Sequence, residues 1–409
     1  MERIFRKDQA HNHIAKFVEF MLDENLSHKQ HILQAYLNVY PDIIHITNNN
    51  NLTALDIACY HCEKYNLLWL IDAILKMGVD VNRVITNGHT VLTIVCRHVN
   101  TKIGTKIMKL LLAAGANVNV TEINGWTPLM LVAKCSDEES KFDKIQLLIN
   151  AGADVNLSRS SGWTPLMFVT KCSYAESNID KVQLLINAGA DVNACNSKGK
   201  SVLMLACHEI NATNDLKTIK LLLDSGADVN KTDPNGVTAL MTVCALPYTQ
   251  IKLDTIKLLM DAGADVNKKN NNGDTALILA ARHHKERPNL EIIKLLLSDI
   301  TIDTSIKNSH GKNFMSYLDP QSQKEIKLVL SQLSTTELRH IMVQQSIISH
   351  CKKFLERSYS IRQLTMMFEN CLDQYEDLTR THPGLMEYFG AYDESSFKQK
   401  TLDALKYID

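Results

Sequence analysis

Long hydrophobic runs are missing from this chain of 409 residues. No stretch approaches the ~18–20 consecutive apolar residues needed to span a bilayer, so no membrane partner is expected. An excess of either charge is missing too, with 44 Lys+Arg against 45 Asp+Glu. A grip on nucleic acid or an anionic membrane draws on a basic surplus, so nucleic acid is not expected as a partner either. The opening MERIFRKDQAHNHI lacks the apolar core of a secretory signal. Without export, the ten cysteines are expected to be reduced thiols in a cytosol-like compartment. Also lacking are a Ser–His–Asp arrangement, a phosphate-cradling glycine loop and a positioned pair of carboxylates. The chain therefore reads as non-catalytic, with no cofactor.

What the sequence has is repetition. GVDVN starts at 78, GANVN at 115, and GADVN at 152, 189, 226 and 263, each 37 residues after the last. A second phrase keeps step: NLTAL at 51, GHTVL at 88, GWTPL at 125 and 162, GKSVL at 199, GVTAL at 236 and GDTAL at 273. A period this strict signals stacked repeats. In each unit the glycine suits a tight turn. The hydroxyl at Thr53, Thr90, Thr127, Thr164, Ser201, Thr238 or Thr275 suits a helix N-cap. Pro128 and Pro165 fall at the first helical position, where a missing N–H does no harm. The helix that follows carries an unbroken leucine column: Leu55, Leu92, Leu129, Leu166, Leu203, Leu240 and Leu277. A second helix of the type DKIQLLINAG has its own inward column, Ile71, Met108, Ile145, Val182, Ile219, Ile256 and Ile293. Gly152 and its equivalents then stop that helix, and a hairpin leads to the next unit. One such helix pair cannot bury its apolar face alone; stacking buries it against the neighbours.

TPL at 127–129 and 164–166, LLINAGADVN at 184–193 and the helix–helix–hairpin order resemble the ankyrin repeat. The resemblance covers about residues 14–333. It implies an all-α ankyrin-repeat solenoid whose concave groove is made of hairpin tips and first helices. The unit departs from the family period of ~33 by four residues, inserted between the helices in CSDEESKFD, CSYAESNID and HEINATNDL. The family histidine after T-P-L is Met130, Met167, Met204 or Met241 here, and Asp56, Thr93 or Ile278 elsewhere, so apolar contact is expected to replace its hydrogen bonds. Long units rich in Asn, Ile and Lys resemble ankyrin proteins of giant DNA viruses or of intracellular bacteria with AT-rich genomes, which implies a cytoplasmic location, in the host if so. The resemblance also makes Asn156 and Asn193 candidate substrates of an asparaginyl hydroxylase.

Four regions are expected: a divergent N-terminal cap over 1–48, with helices at 14–22 and 28–39; seven repeats over 49–307; a degenerate cap over 308–333; and a small helical region over 334–409, opened by the capping box STTE at 334–337. By analogy with viral ankyrin proteins, that last region could recruit effector machinery such as a ubiquitin ligase to a target held by the repeats. It lacks a convincing F-box-like Leu-Pro opening.

Two clusters invite chemistry. Cys59 and Cys62 form a C-x-x-C, but no second one completes a zinc site. Cys59, Cys96, Cys207 and Cys244 share a column with Ala133, Thr170 and Ala281, so a small buried residue is expected there rather than a metal ligand, with Cys135 and Cys172 just beyond it. His61, His98, His208, His283 and His284 gather near the ends of first helices and are expected to be exposed helix ends.

The tryptophan column reads Leu52, His89, Trp126, Trp163, Lys200, Val237 and Asp274. A position accepting Trp, Lys and Asp is expected to face water, with the two indoles side by side. By resemblance it lines the groove, together with Arg97, Lys134, Lys171, His208 and Arg282 at the ends of first helices. Exposed paired aromatics are enriched at interface hot spots. The expected function is a monomeric scaffold that binds a partner protein of apolar and partly acidic surface. The competing reading folds each indole down onto its own repeat or its neighbour.

Overall fold

A computed structural model describes residues 31–333, apart from 32–33, 36, 49, 66, 86–87, 100, 135–140, 172–177, 209, 211–212, 248, 283–289 and 300. The chain divides into two units, Met1–Thr335 and Thr336–Asp409. The expected helix at 14–22, most of the inserted stretches between helices and the region 334–409 lie outside the described residues.

Seven helix pairs follow one another: α1 Ala54–Tyr65 and α2 Leu68–Lys76; α3 Val91–His98 and α4 Lys102–Ala113; α5 Pro128–Ala133 and α6 Lys141–Asn150; α7 Pro165–Lys171 and α8 Asn178–Asn187; α9 Val202–His208 and α10 Thr213–Asp224; α11 Ala239–Cys244 and α12 Gln250–Asp261; α13 Ala276–Arg282 and α14 Leu290–Leu297. We number these repeats one to seven. A 3-10 turn, Phe314–Tyr317, and α15, Pro320–Leu333, complete the last pair, and a 3-10 turn at Pro41–His45 precedes the first.

The first helices start where the sequence places a hydroxyl. In all seven repeats that oxygen accepts the amide three residues on, at 3.2–3.4 Å, satisfying a donor that the helix leaves open. In repeat one, Asp56 completes the cap by accepting from the Thr53 amide at 2.7 Å. The second helices of repeats one to six end in left-handed glycine. Gly152, at φ +86°, is an example, and the next amide, Ala153, bonds back to the Leu148 carbonyl at 3.0 Å.

Each first helix packs on the first helices of its neighbours, and each second helix on the second, giving two layers. The leucine column is buried throughout, at 0–2% exposure, and the Ile71–Ile293 column at 0%. Met130, Met167, Met204 and Met241 are buried too. Flexible thioethers thus fill the space beneath each N-cap, where the resemblance leads one to expect a histidine.

The hairpins carry a polar counterpart to this core. The side-chain N–H of Asn82, Asn119, Asn156, Asn193 and Asn230 donates to the carbonyl of Gly115, Gly152, Gly189, Gly226 and Gly263 respectively, at 2.9–3.1 Å. The same five amide oxygens accept backbone N–H groups of the next repeat at 2.6–2.8 Å. Asn267 continues the ladder onto Thr301 and Asp303. At the hairpin tips the backbones touch: a Cβ on Gly162, at φ +72°, would stand 2.6 Å from the Ser197 nitrogen.

Leu166, fully buried between neighbouring repeats, is expected to cost about 2–5 kcal/mol when cut to Ala, through lost burial and a cavity. Asn156→Ala removes a donor and an acceptor of the ladder and is expected to cost about 1 kcal/mol, less because the site is solvated. Chemical denaturation checks both, and a reversed order would show that the ladder outweighs the core.

Candidate functional site

The nine residues expected to face a partner fall on one geometric pattern. They fall in two columns, a residue just before each first helix and a residue eight positions later, at or just past its end, and several of them meet the tip of the following hairpin. In repeat two these are His89 and Arg97. Both contact Glu122 of the next hairpin: His89 Nδ1 lies 2.7 Å from Oε1, and Arg97 Nη2 holds Oε2. In repeat five, Lys200 Nζ lies 2.8 Å from Asp233 Oδ2, while His208 is exposed at the end of α9. In repeat seven, Arg282 bonds Asp274 at 2.6 Å, and Asn308 reaches the other Asp274 oxygen at 2.8 Å.

Repeats three and four differ. Trp126 stacks on Phe168 with ring centroids 4.9 Å apart and 26° between planes; Trp163 meets the same Phe168 at 5.1 Å and 35°. The Lys134 and Lys171 ammonium groups lie over Trp126 and Trp163 at 5.5 and 5.7 Å, and the Arg159 guanidinium lies over Trp126 at 4.7 Å. These are cation–π distances.

One expectation is corrected. The tryptophan column does not simply face water. Leu52, His89, Trp126, Trp163, Lys200 and Val237 are half-buried, and Asp274 is buried. Lys and Asp tolerate that place because the next hairpin supplies a counter-charge or an amide. Phe168 bridges the two indoles expected side by side, so the competing reading, in which each folds onto its own repeat or its neighbour, is partly right.

Sequence reasoning missed Phe168 and the hairpin residue that closes each contact. That residue forms a column of its own: Asn48, Ile85, Glu122, Arg159, Asn196, Asp233 and Asn270. Asn196, Asp233 and Asn270 use one side-chain oxygen to accept the amides two and four residues on, at 2.9–3.0 Å. This stabilises the turn. Ile85, Glu122 and Arg159 break the column, and the two charged residues among them were the available signal. Their turns keep the backbone bonds to Trp126 and Trp163, while the side chains reach back into the preceding repeat.

Protonation follows these contacts. Burial works to raise the Asp233 carboxyl, but Lys200 and the Val237 and Asn235 amides outweigh it and hold it below the usual carboxylate range. Burial lowers His98 below the ordinary imidazole value, and Arg97 and His89 push the same way. His98 and His61 also pack against the ring of Tyr60, which is 54% exposed.

The cysteine column belongs to the core. Cys59, Cys96, Cys207 and Cys244 are buried, as is Cys62. Burial pushes Cys62 up to about 11 and Cys96 up to about 12, and raises Cys59, Cys207 and Cys244 as well. These thiols are protonated and unreactive at neutral pH. Among the described residues, no group of three or more His, Cys, Asp or Glu is placed to hold a metal ion. Cys135, Cys172, His283 and His284 lie outside them. Asn156 and Asn193, the candidate hydroxylation sites, both serve the ladder.

Stacked helix–helix–hairpin units, capped by hydroxyls and tied through hairpin asparagines, define a repeat protein whose side chains converge on one continuous face. The family described as "Ankyrin repeats (3 copies)" matches residues 60–158, 134–233 and 210–308, and the chain belongs to it. A solved ankyrin repeat domain from Acinetobacter baumannii AYE is 25% identical, with a TM-score of 0.44 over 52% of this chain and 98% of that one. No curated protein matches the sequence. Ankyrin repeats generally mediate protein–protein interaction, and the family is typically non-catalytic. Among the described residues, no helix is long and apolar enough to cross a membrane.

The Glu122 contacts are expected to be worth having. In a cycle of Glu122→Ala, Arg97→Ala and the double substitution, the coupling read from chemical denaturation should be about 0.5–3 kcal/mol. Additive losses would mean that the pair contributes nothing as a pair.

Proposed function

We propose that this protein is a non-catalytic scaffold that holds a partner protein on the face made by its hairpin tips and first helices, the concave groove of the ankyrin resemblance. The observation that carries the reading is the half-buried aromatic group Trp126–Phe168–Trp163, edged by Lys134, Arg159 and Lys171. Anchored rings with part of their surface open lose little freedom on binding, which favours association. His89, Arg97, Lys200, His208 and Arg282 extend the same face on either side. Cys59, Cys62, Cys96, Cys195, Cys207 and Cys244 are all free thiols, which supports action in the reducing cytoplasm, with the chain working as a monomer. The adaptor alternative rests on residues 334–409, outside the described residues.

Leucine already occupies the tryptophan column at Leu52, half-buried like the tryptophans. Trp126→Leu with Trp163→Leu should therefore keep the packing and remove the ring surface. The double variant is expected to melt within a few degrees of the parent and to lose partners that the parent captures from lysate. Undiminished capture by a folded variant would place binding elsewhere.

A further inference from the structure

The cations of this face are held in two different ways, and the difference points to a partner chemistry. In repeats two, five and seven they rest on buried carboxylates: Arg97 on Glu122, which His89 also contacts, Lys200 on Asp233, and Arg282 on Asp274. In repeats three and four, Lys171 and Arg159 rest on indole rings. A ring face attracts a cation but cancels none of its charge. Neither Lys171 nor Arg159 contacts a carboxylate among the described residues, so positive charge stands open in the middle of a face neutralised on both sides.

Arg159 carries a second sign. Its Nε is buried and has no hydrogen-bond acceptor, and the Ser161 hydroxyl two residues on lacks a partner as well. Unmet donors next to a protein surface are costly unless something supplies an acceptor. Nor is Arg159 present for the sake of its own turn. Asn196 and Asn270 hold the same place and cap theirs, a role Arg cannot fill. Beside this charge lie the aromatic group and Ile123, 58% exposed at the hairpin tip before Trp126.

We propose that repeats three and four dock an acidic segment of a partner protein. Its carboxylates pair with Arg159 and Lys171, and an apolar side chain between them lies on Trp126, Phe168 and Ile123. The proposal rests on the groove reading above and adds the chemistry of what fills it. A peptide suits the site better than a nucleic acid. The open cations are few, Glu122 and Asp233 lie close by in the flanking contacts, and Trp126 already carries Phe168 and Arg159, which compete with a stacking base. A strand of phosphates would need a longer basic track.

The other repeats suggest the variants. Arg159→Asn borrows Asn196, and Lys171→Ala borrows Ala245 from the same column, so the double variant should fold, as a melting curve checks. The full chain, this charge variant and the Trp126→Leu/Trp163→Leu variant are each immobilised and panned with a short random-peptide library. Peptides recovered on the parent should place Asp or Glu beside aromatic or aliphatic residues. Their affinity should fall about tenfold or more on the charge variant, and added salt should shrink that difference. Peptides that keep their affinity on the charge variant but lose it on the tryptophan variant would overturn the acidic partner and leave the groove reading standing. Peptides indifferent to both variants would overturn both. Recovery of no peptide would overturn the proposal, whether or not a labelled single-stranded oligonucleotide binds the parent by fluorescence anisotropy.

Discussion

Register between successive hairpins is the constraint on which the rest of this structure depends, and one side chain per repeat sets it. Apolar burial drives the stacking, but burial is non-directional; a leucine between two leucines does not say how far one repeat is turned against the next. The hairpin asparagine does. Its N–H reaches a carbonyl 33 residues on and its oxygen an amide 35 residues on. Two bonds in opposite senses through one planar amide leave little room for slippage. Asp has no N–H to give and Ser is too short to span both, which accounts for the amide recurring at Asn82, Asn119, Asn156, Asn193, Asn230 and Asn267.

Register in turn makes the proposed binding face. His89 and Arg97 meet Glu122 only because the second hairpin turns the same way onto the first as every other. The same displacement carries Arg159 over Trp126 and Lys200 onto Asp233. The three contacts differ in chemistry and share a geometry. One rigid frame thus presents a charge pair, an aromatic group and a second charge pair in succession, and substituting a single hairpin residue changes the character of the face without disturbing the frame.

The frame was legible in the sequence because it is made of columns. Hydroxyl, leucine, second-helix aliphatic and glycine each recur at a fixed interval, and each turns out capped, buried or left-handed accordingly. The face was legible in position and not in environment. A column holding Trp, Lys and Asp implies water if each residue is judged against its own repeat. In fact each is judged by a residue 33 or 34 positions later, which varies with it: Lys200 with Asp233, His89 with Glu122, Asp274 with Asn308. Phe168 was hidden for a related reason. Its column holds Ile57, Ile94, Leu131, Leu205, Thr242 and Leu279, mostly aliphatic, so an aromatic there passes for ordinary core.

Three hairpins depart from the turn-capping residue, at Ile85, Glu122 and Arg159, and the two that do so with a charged side chain carry more meaning than the repeats that conform. Placing Asn or Asp at the hairpin satisfies two amides locally, and repeats that are only structural have reason to keep it. Glu122 and Arg159 surrender those bonds. Glu122 is compensated, since both its oxygens find partners in repeat two, His89 and Arg97. Arg159 is compensated only in part, by an indole face, and retains a buried donor without an acceptor. Local breaches of an otherwise consistent pattern tend to mark function. Here the compensated breach and the uncompensated one sit in adjacent hairpins, on a common frame. The difference between them separates a substitution that the fold alone explains from one that the fold leaves with an unmet donor.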